Sequence, residues 1–246
     1  MKKPMLLSAI LIAMATLSYG QTNYVMWESI YLRPKTDQLK DLGQHMKAHN
    51  DNYHSQAPYQ ARVWNVTTGP RSGGMVWFMG PCTFTDLDNR PAGGGHDDDW
   101  RDNVMMHVTE ISDGGYWRLM EGFSYLPENL NPKVMWIRYI DVKRGKWDEF
   151  EHLMTSIMKN YEENKFNHSM GLYENVVNDG SGKDMAIVWQ YNNYAYLDEN
   201  LEFSNKYEEI YGDNSWRDFM EAVYDYTEST EDEMMEYMPE LSSDTE

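Results

Sequence analysis

The sequence predicts an α+β chain made of two tandem βαββαβ units. Three observations carry that reading: an internal repeat, a helical period between strand-like runs, and a common order of elements in the two halves. YVMWESIYL at 24–32 recurs as KVMWIRYID at 133–141, MVWF at 75–78 as IVWQ at 187–190, DDDWRD at 97–102 as DNSWRD at 213–218, and SYLPE at 124–128 as EYMPE at 236–240. Four matches in one order, at offsets of 109 to 116, mark two copies of one unit.

Runs of β-formers predict strands at 24–31, 60–67, 74–79 and 121–126, with counterparts at 133–140, 170–178, 184–191 and 233–238. Between the first two strands of each copy lies a helical period. Leu39, Leu42, Met46, His49 and Tyr53 share one face, and Trp147, Phe150, Met154, Ile157 and Tyr161 repeat it. GPRSGG at 69–74 and NDGSGK at 178–183 supply turns between the second and third strands. A second helix is expected over 98–111 and 214–226, carrying the shared Trp-Arg-Asp. Each copy thus reads strand, helix, strand, strand, helix, strand, which is the ferredoxin-like order. The boundaries follow: a first module at 21–130, a second at 131–240, and an acidic tail at 241–246.

Ahead of these, MKKPMLLSAILIAMATLSYGQ has two lysines, a short apolar run and small residues before Gln21, which predicts a signal peptide at 1–20 and an exported protein, periplasmic or extracellular. Cys82 is the sole cysteine, so packing rather than an internal disulfide has to stabilise the chain, and a lone thiol after Gly80-Pro81 reads as structural. With 40 acidic against 21 basic residues, the chain repels polyanions, which argues against nucleic acid or an anionic membrane as partner. The expected state is a monomer or homodimer.

GGGHDDDWRD at 93–102 offers a histidine beside three aspartates. Asp98 and Asp99 stand opposite Asn214 and Ser215, residues suited to capping a helix, and His96 stands opposite Gly212. The stretch is therefore read as a cap with a flexible glycine approach, and no metal is assigned to His96, Asp97, Asp98 and Asp99.

Two such modules with aromatic first and third strands resemble the dimeric α/β-barrel superfamily, which includes antibiotic-biosynthesis monooxygenase-like and NIPSNAP-like proteins. The resemblance covers nearly the whole mature chain and rests on element order and duplication. It implies two sheets packed face to face as a barrel, here within one chain, with small molecules bound between a sheet and its helices. Some members are cofactor-free oxygenases and others bind or degrade haem. No catalytic pattern of theirs matches here, and fold alone does not license a reaction.

Chemistry is expected where the copies differ. His45 and His49 replace Leu153 and Ile157 on the first helix, and His107 lies on the second helix of the same copy. Imidazoles suit proton transfer, metal or haem iron, while the plainer alternative is core packing. Trp64 lacks an aromatic counterpart, whereas Trp27 with Trp136, Trp77 with Trp189, and Trp100 with Trp216 read as architectural pairs. The candidate ligand-binding residues are therefore His45, His49, Tyr53, Trp64 and His107, lining a pocket in the first copy, while Ile157 is expected to fill its equivalent in the second. No G-x-S-x-G, phosphate loop, dinucleotide fingerprint or zinc-type cysteine pair occurs. The expected function is binding of a small apolar or aromatic molecule, with oxygenase-like action and no organic cofactor. The alternatives are an interaction or structural protein with an acidic surface, and a haem or metal-ion binder.

Overall fold

The computed structural model describes residues 24–90, 93–128, 131–177 and 180–243. The segment read as a signal peptide lies outside them. Among the described residues no helix is long and apolar enough to cross a membrane.

The first half contains β1 (Met26–Pro34), α1 (Leu39–Tyr53), β2 (Ala61–Val66), β3 (Met75–Cys82), the short α2 (Phe84–Asp88), a helical turn α3 (His96–Asp99) that continues in π and 3-10 geometry to His107, and β4 (Val108–Leu119). The second contains β5 (Val134–Val142), α4 (Trp147–Asn164), β6 (Ser169–Asn175), β7 (Met185–Tyr191), α5 (Phe203–Tyr211), α6 (Ser215–Tyr226) and β8 (Thr227–Tyr237). The fold is mixed α+β. Its eight strands, antiparallel throughout, close a barrel in the order β1-β3-β2-β8-β5-β7-β6-β4. Within it the halves run β4-β1-β3-β2 and β8-β5-β7-β6. They are sewn together where Trp64 meets Tyr237 across β2–β8 and Trp117 meets Asn175 across β4–β6, so neither half keeps an open sheet edge.

Strand side chains alternate between two faces, and both faces are apolar here. Met135, Ile137 and Tyr139 of β5 point into the barrel, where they pack with Tyr31, Trp64, Val66 and Val76. Ile140 and Val142 point the other way, onto Phe150, Met154, Ile157 and Tyr161 of α4. On the first half, Met26, Leu32, Val63 and Trp77 meet Leu42 and Met46 of α1. The helical stripes read from the sequence form as expected, except that Leu39 is half exposed.

Four expectations are corrected. The fourth strand occupies 108–119 rather than 121–126, and the helix before it ends at His107 rather than 111. Asp113 and Gly114 look like a chain break but form a bulge: Ser29 pairs with Gly115 and Tyr31 with Ser112, and Asp113 adopts φ 48°. SYLPE therefore lies beyond β4 and is not equivalent to EYMPE; its Tyr125 makes an isolated bridge to Met170.

Next, β8 starts at Thr227, because the acidic run TESTEDE pairs along β5 despite having no apolar side chain. The first repeat match is also one residue out of structural register. Leu32 pairs with Met75 and Ile140 with Met185, so Tyr31 corresponds to Tyr139 and Trp27 to Met135. Trp27 faces the barrel interior, whereas Trp136 has the parity of Arg138 and Ile140 and packs on Trp189 on the helix side. A one-residue slip exchanges strand faces, so Trp27 and Trp136 are not an architectural pair.

Finally, Leu241–Ser243 are not a solvated tail. Leu241 joins the first-half core, its carbonyl accepts from Asn50 Nδ2 at 2.6 Å, and the Ser242 hydroxyl accepts from Val63 N at 2.9 Å.

The β2–β3 turn lays Arg71 across one end of the barrel. Its guanidinium donates to both Glu233 oxygens, at 2.9 and 2.5 Å, to Asp113 Oδ2 at 3.0 Å and to the Tyr139 hydroxyl at 2.9 Å. It also stacks 5.1 Å from the Tyr31 ring. The turn needs a bare backbone here: a Cβ on Gly74 would lie 2.2 Å from Tyr31 Oη and 2.3 Å from its ring. Tyr31 is fully buried, and its hydroxyl donates to the Arg71 carbonyl at 3.1 Å. Gly74→Ala is expected to cost about 1–3 kcal/mol by overpacking, measured as a shift in urea midpoint at unchanged slope.

Candidate functional site

The residues singled out in the sequence go to two separate places. Trp64 sits inside the barrel, 5.1 Å from the Tyr237 ring, beside a small cavity of about 80 Å³. Trp27, Phe78, Trp117 and Tyr173 share its lining, with Arg62 over the Trp27 ring at 5.5 Å.

His45, His49, Tyr53 and His107 lie instead between α1 and the helical run that precedes β4. His45 packs against His107 at 5.1 Å, and His107 Nδ1 donates to Gln38 Oε1 at 2.9 Å. His49 turns away from this pair. It is fully buried and meets His54, which the sequence reading did not single out, and His96, which it placed in a capping stretch, at ring distances of 5.2 and 5.0 Å. One ring nitrogen from each of the three lies within 4.8 Å of the other two. Tyr53, Trp77 and Trp100 wall the group, at 5.0 Å from His49, His54 and His49 respectively.

Local chain geometry explains the meeting. His54 is the residue on which α1 ends, its N–H closing on Asn50 O at 2.8 Å, so it lies off the i, i+4 face that carries His45 and His49. His96 opens α3 directly after Gly95, which adopts φ 96° and whose Cβ position would fall 3.2 Å from Tyr53 Oη. Gly95, not Asp99, is the residue at the helix start. Asp99 accepts from His49 Nδ1 at 2.7 Å and from Asn103 at 2.6 Å, so its expected capping role is replaced by a role in orienting His49. Partial burial would raise the Asp99 pKa, but these two donors outweigh it and hold the carboxyl below its usual range. Burial pushes His49 down despite Asp99, and pushes His54 to about 3. Cys82 is buried with its thiol pushed up to about 11 by burial, as a structural cysteine should be.

The larger cavity is in the second half, reversing the expected contrast. About 800 Å³ opens between the sheet and helices α4 and α6, and Ile157 lines it rather than filling it. Met154 and Ile157 form one wall, Ile187 and Trp189 the floor, and Trp216 and Phe219 the opposite wall, with Arg138 and Lys143 adding charge. In the first half the equivalent helix–sheet space is taken up by Trp77 and Trp100, 5.7 Å apart, and the histidine group.

One polar chain reaches the cavity. Trp189 Nε1 donates to Tyr161 Oη at 3.1 Å, Tyr161 donates to His168 Nε2 at 2.9 Å, and His168 Nδ1 donates to Tyr196 Oη at 3.0 Å. Burial lowers His168 to about 4 and raises the Tyr161 phenol far above its ordinary value. At neutral pH both are uncharged, and these directions are those of the His168 tautomer with its proton on Nδ1.

A haem in this cavity would have to take a tyrosine or a methionine of the lining as its protein ligand. Among the described residues around the cavity there is no histidine and no cysteine, and His168 stands behind Tyr161 with both nitrogens engaged.

No family model and no curated protein matches the chain. Solved structures do. A candidate monooxygenase from Lactobacillus acidophilus NCFM is 12% identical, matched over 90% of this chain and 96% of that one with a TM-score of 0.56. An anthrone oxidase-like protein is 10% identical over 89% and 92% of the two chains, TM-score 0.55. A mutant chlorite dismutase from Candidatus Nitrospira defluvii is 7% identical over 89% and 93%, TM-score 0.56. At such identities the likeness is one of fold, and it extends along nearly the whole of each chain. What the chain shares with these structures is its overall fold, here a closed barrel of eight antiparallel strands with the helices outside.

Proposed function

We propose that this chain is an exported protein, built from two copies of one ferredoxin-like unit, that binds a small apolar or aromatic molecule in the second-half cavity and acts on it as an oxygenase without an organic cofactor. The observation that carries the reading is the cavity of about 800 Å³, lined mainly by aromatic and aliphatic side chains, with the Tyr161 phenol held by hydrogen bonds on its α4 wall. Ligand sites combine such an apolar volume with few polar groups that set orientation. The repeated strand order supports the duplication, and the names of the monooxygenase and anthrone oxidase-like neighbours support oxygen chemistry.

Tyr161 is the residue positioned to meet a polar atom of an otherwise apolar ligand. With its proton on the bond to His168 and one lone pair accepting from Trp189, the hydroxyl keeps one lone pair for a further donor. Trp189 and Trp216 offer ring faces for stacking.

The test measures binding of a tricyclic anthrone by fluorescence and its oxidation by oxygen uptake, in wild type and Ile157→Trp. The larger side chain occupies the cavity, so affinity is expected to fall at least about tenfold, the loss of about 1.4 kcal/mol. Equal affinity in a folded variant would move the ligand elsewhere. Binding without oxygen uptake would leave the ligand site and remove the oxygenase reading. A Soret band in protein purified from its source would replace this reading with the haem-binding alternative.

A further inference from the structure

We propose that His49, His54 and His96 form a mononuclear site for a divalent transition-metal ion of the zinc class, each binding through Nε2. The argument begins with where the three ring protons are. His49 Nδ1 lies 2.7 Å from a carboxylate oxygen of Asp99, His54 Nδ1 2.9 Å from the carbonyl of Tyr59, and His96 Nδ1 2.7 Å from a carboxylate oxygen of Asp97. All three neighbours are acceptors, so each Nδ1 carries the proton and each Nε2 presents a lone pair.

Those lone pairs face one another. His54 Nε2 and His96 Nε2 are 3.1 Å apart, and the buried His49 Nε2 has no hydrogen-bond partner among the described residues. Two acceptors at that distance, with a third beside them, repel unless a proton or a metal cation lies between them. In a tetrahedral zinc site with Zn–N of about 2.0–2.1 Å, neighbouring nitrogens stand about 3.3 Å apart. The His54–His96 distance is close to that value, and a side-chain adjustment brings in the third nitrogen, already within 4.8 Å.

The surroundings are those of a metal site. Metal-bound histidines characteristically donate their other N–H to a carboxylate or backbone carbonyl, which fixes the ring and raises ligand basicity, and all three do so here. Burial keeps His49 and His54 in the neutral form that coordinates. Tyr53, Trp77 and Trp100 keep the neighbourhood apolar. Imidazole suits zinc, copper, nickel and iron. Three imidazoles leave a fourth tetrahedral position for solvent or a small ligand. The ion would also tie the start of α3 to the end of α1, and it is separate from the second-half cavity.

The test titrates the metal-stripped full chain with Zn²⁺ by calorimetry and with Co²⁺ by absorption, following tryptophan emission alongside. Wild type is expected to take up one ion per chain and to gain thermal stability with zinc. His96→Ala, whose side chain lies at the entrance, is expected to lose at least about a hundredfold in affinity, while His96→Cys retains Co²⁺ binding with a thiolate charge-transfer band. His152→Ala, an exposed histidine on α4, should bind as wild type. No stoichiometric uptake by wild type, or a folded His96→Ala that binds within about threefold of it, would overturn the site.

Discussion

Arg71→Ala is expected to destabilise the protein by about 3–5 kcal/mol, the cost of leaving a buried carboxylate without its partner. Glu233 is fully buried on β8, and Arg71 supplies both of its hydrogen bonds. Burial opposes the charge on Arg71, but Glu233, Tyr139 and Asp113 outweigh it and raise its pKa above the ordinary value. The arginine belongs to the first half and Glu233 to the second, so the truncation also removes a tie between them. Urea unfolding of wild type, Arg71→Ala and the double variant Arg71→Met/Glu233→Leu checks this. The double variant should recover most of the loss, because apolar replacement removes the stranded charge. A single variant within about 1 kcal/mol of wild type would show that water reaches Glu233.

Acidification should weaken the second half through His168. Its folded pKa lies near 4, against about 6.5 in an unfolded chain. Between those values the unfolded state binds a proton that the folded state refuses. The stabilisation is therefore complete above about pH 6.5 and drains as pH falls toward 4, by about 1.4 kcal/mol per pH unit. From pH 6.5 to 5.0 the loss should be about 2 kcal/mol. Denaturation with chelator present, comparing wild type with His168→Gln, isolates the contribution, since the glutamine does not titrate. Equal pH slopes in the two proteins would mean that His168 is solvated or charged in the native state.

The histidine group shows how far a sequence reading reaches. His49 was legible because it interrupts an apolar stripe, and His45 because it lies one turn before it. His54 was not, because it stands where α1 ends and helical spacing no longer says where a side chain points. His96 was set aside because the other half has Gly212 in its place. That same asymmetry gives the first half a histidine its counterpart lacks, and the fold brings it against His49 and His54.

The cavity was misassigned for a related reason. Ile157 was expected to fill space in the second half, but a residue's size does not say how far the facing helix stands off. In the first half Trp100 reaches both His49 and Trp77, whereas in the second Trp216 stacks on Phe219 of its own helix at 5.1 Å. The same Trp-Arg-Asp sequence in the two halves thus goes with two different packings.

By itself the sequence determined the mixed α+β class, the strand, helix, strand, strand order that opens each half, and the net negative charge, because periodicity, turn chemistry and composition act over a few residues or none. Only the tertiary structure decided which face Trp27 and Trp136 take, that TESTEDE is a strand, that Leu241 is core, which histidines meet and which half is hollow. These depend on register and on contacts between residues far apart in the chain. A one-residue slip reverses a strand's faces, and no local pattern records which helix a distant side chain will reach.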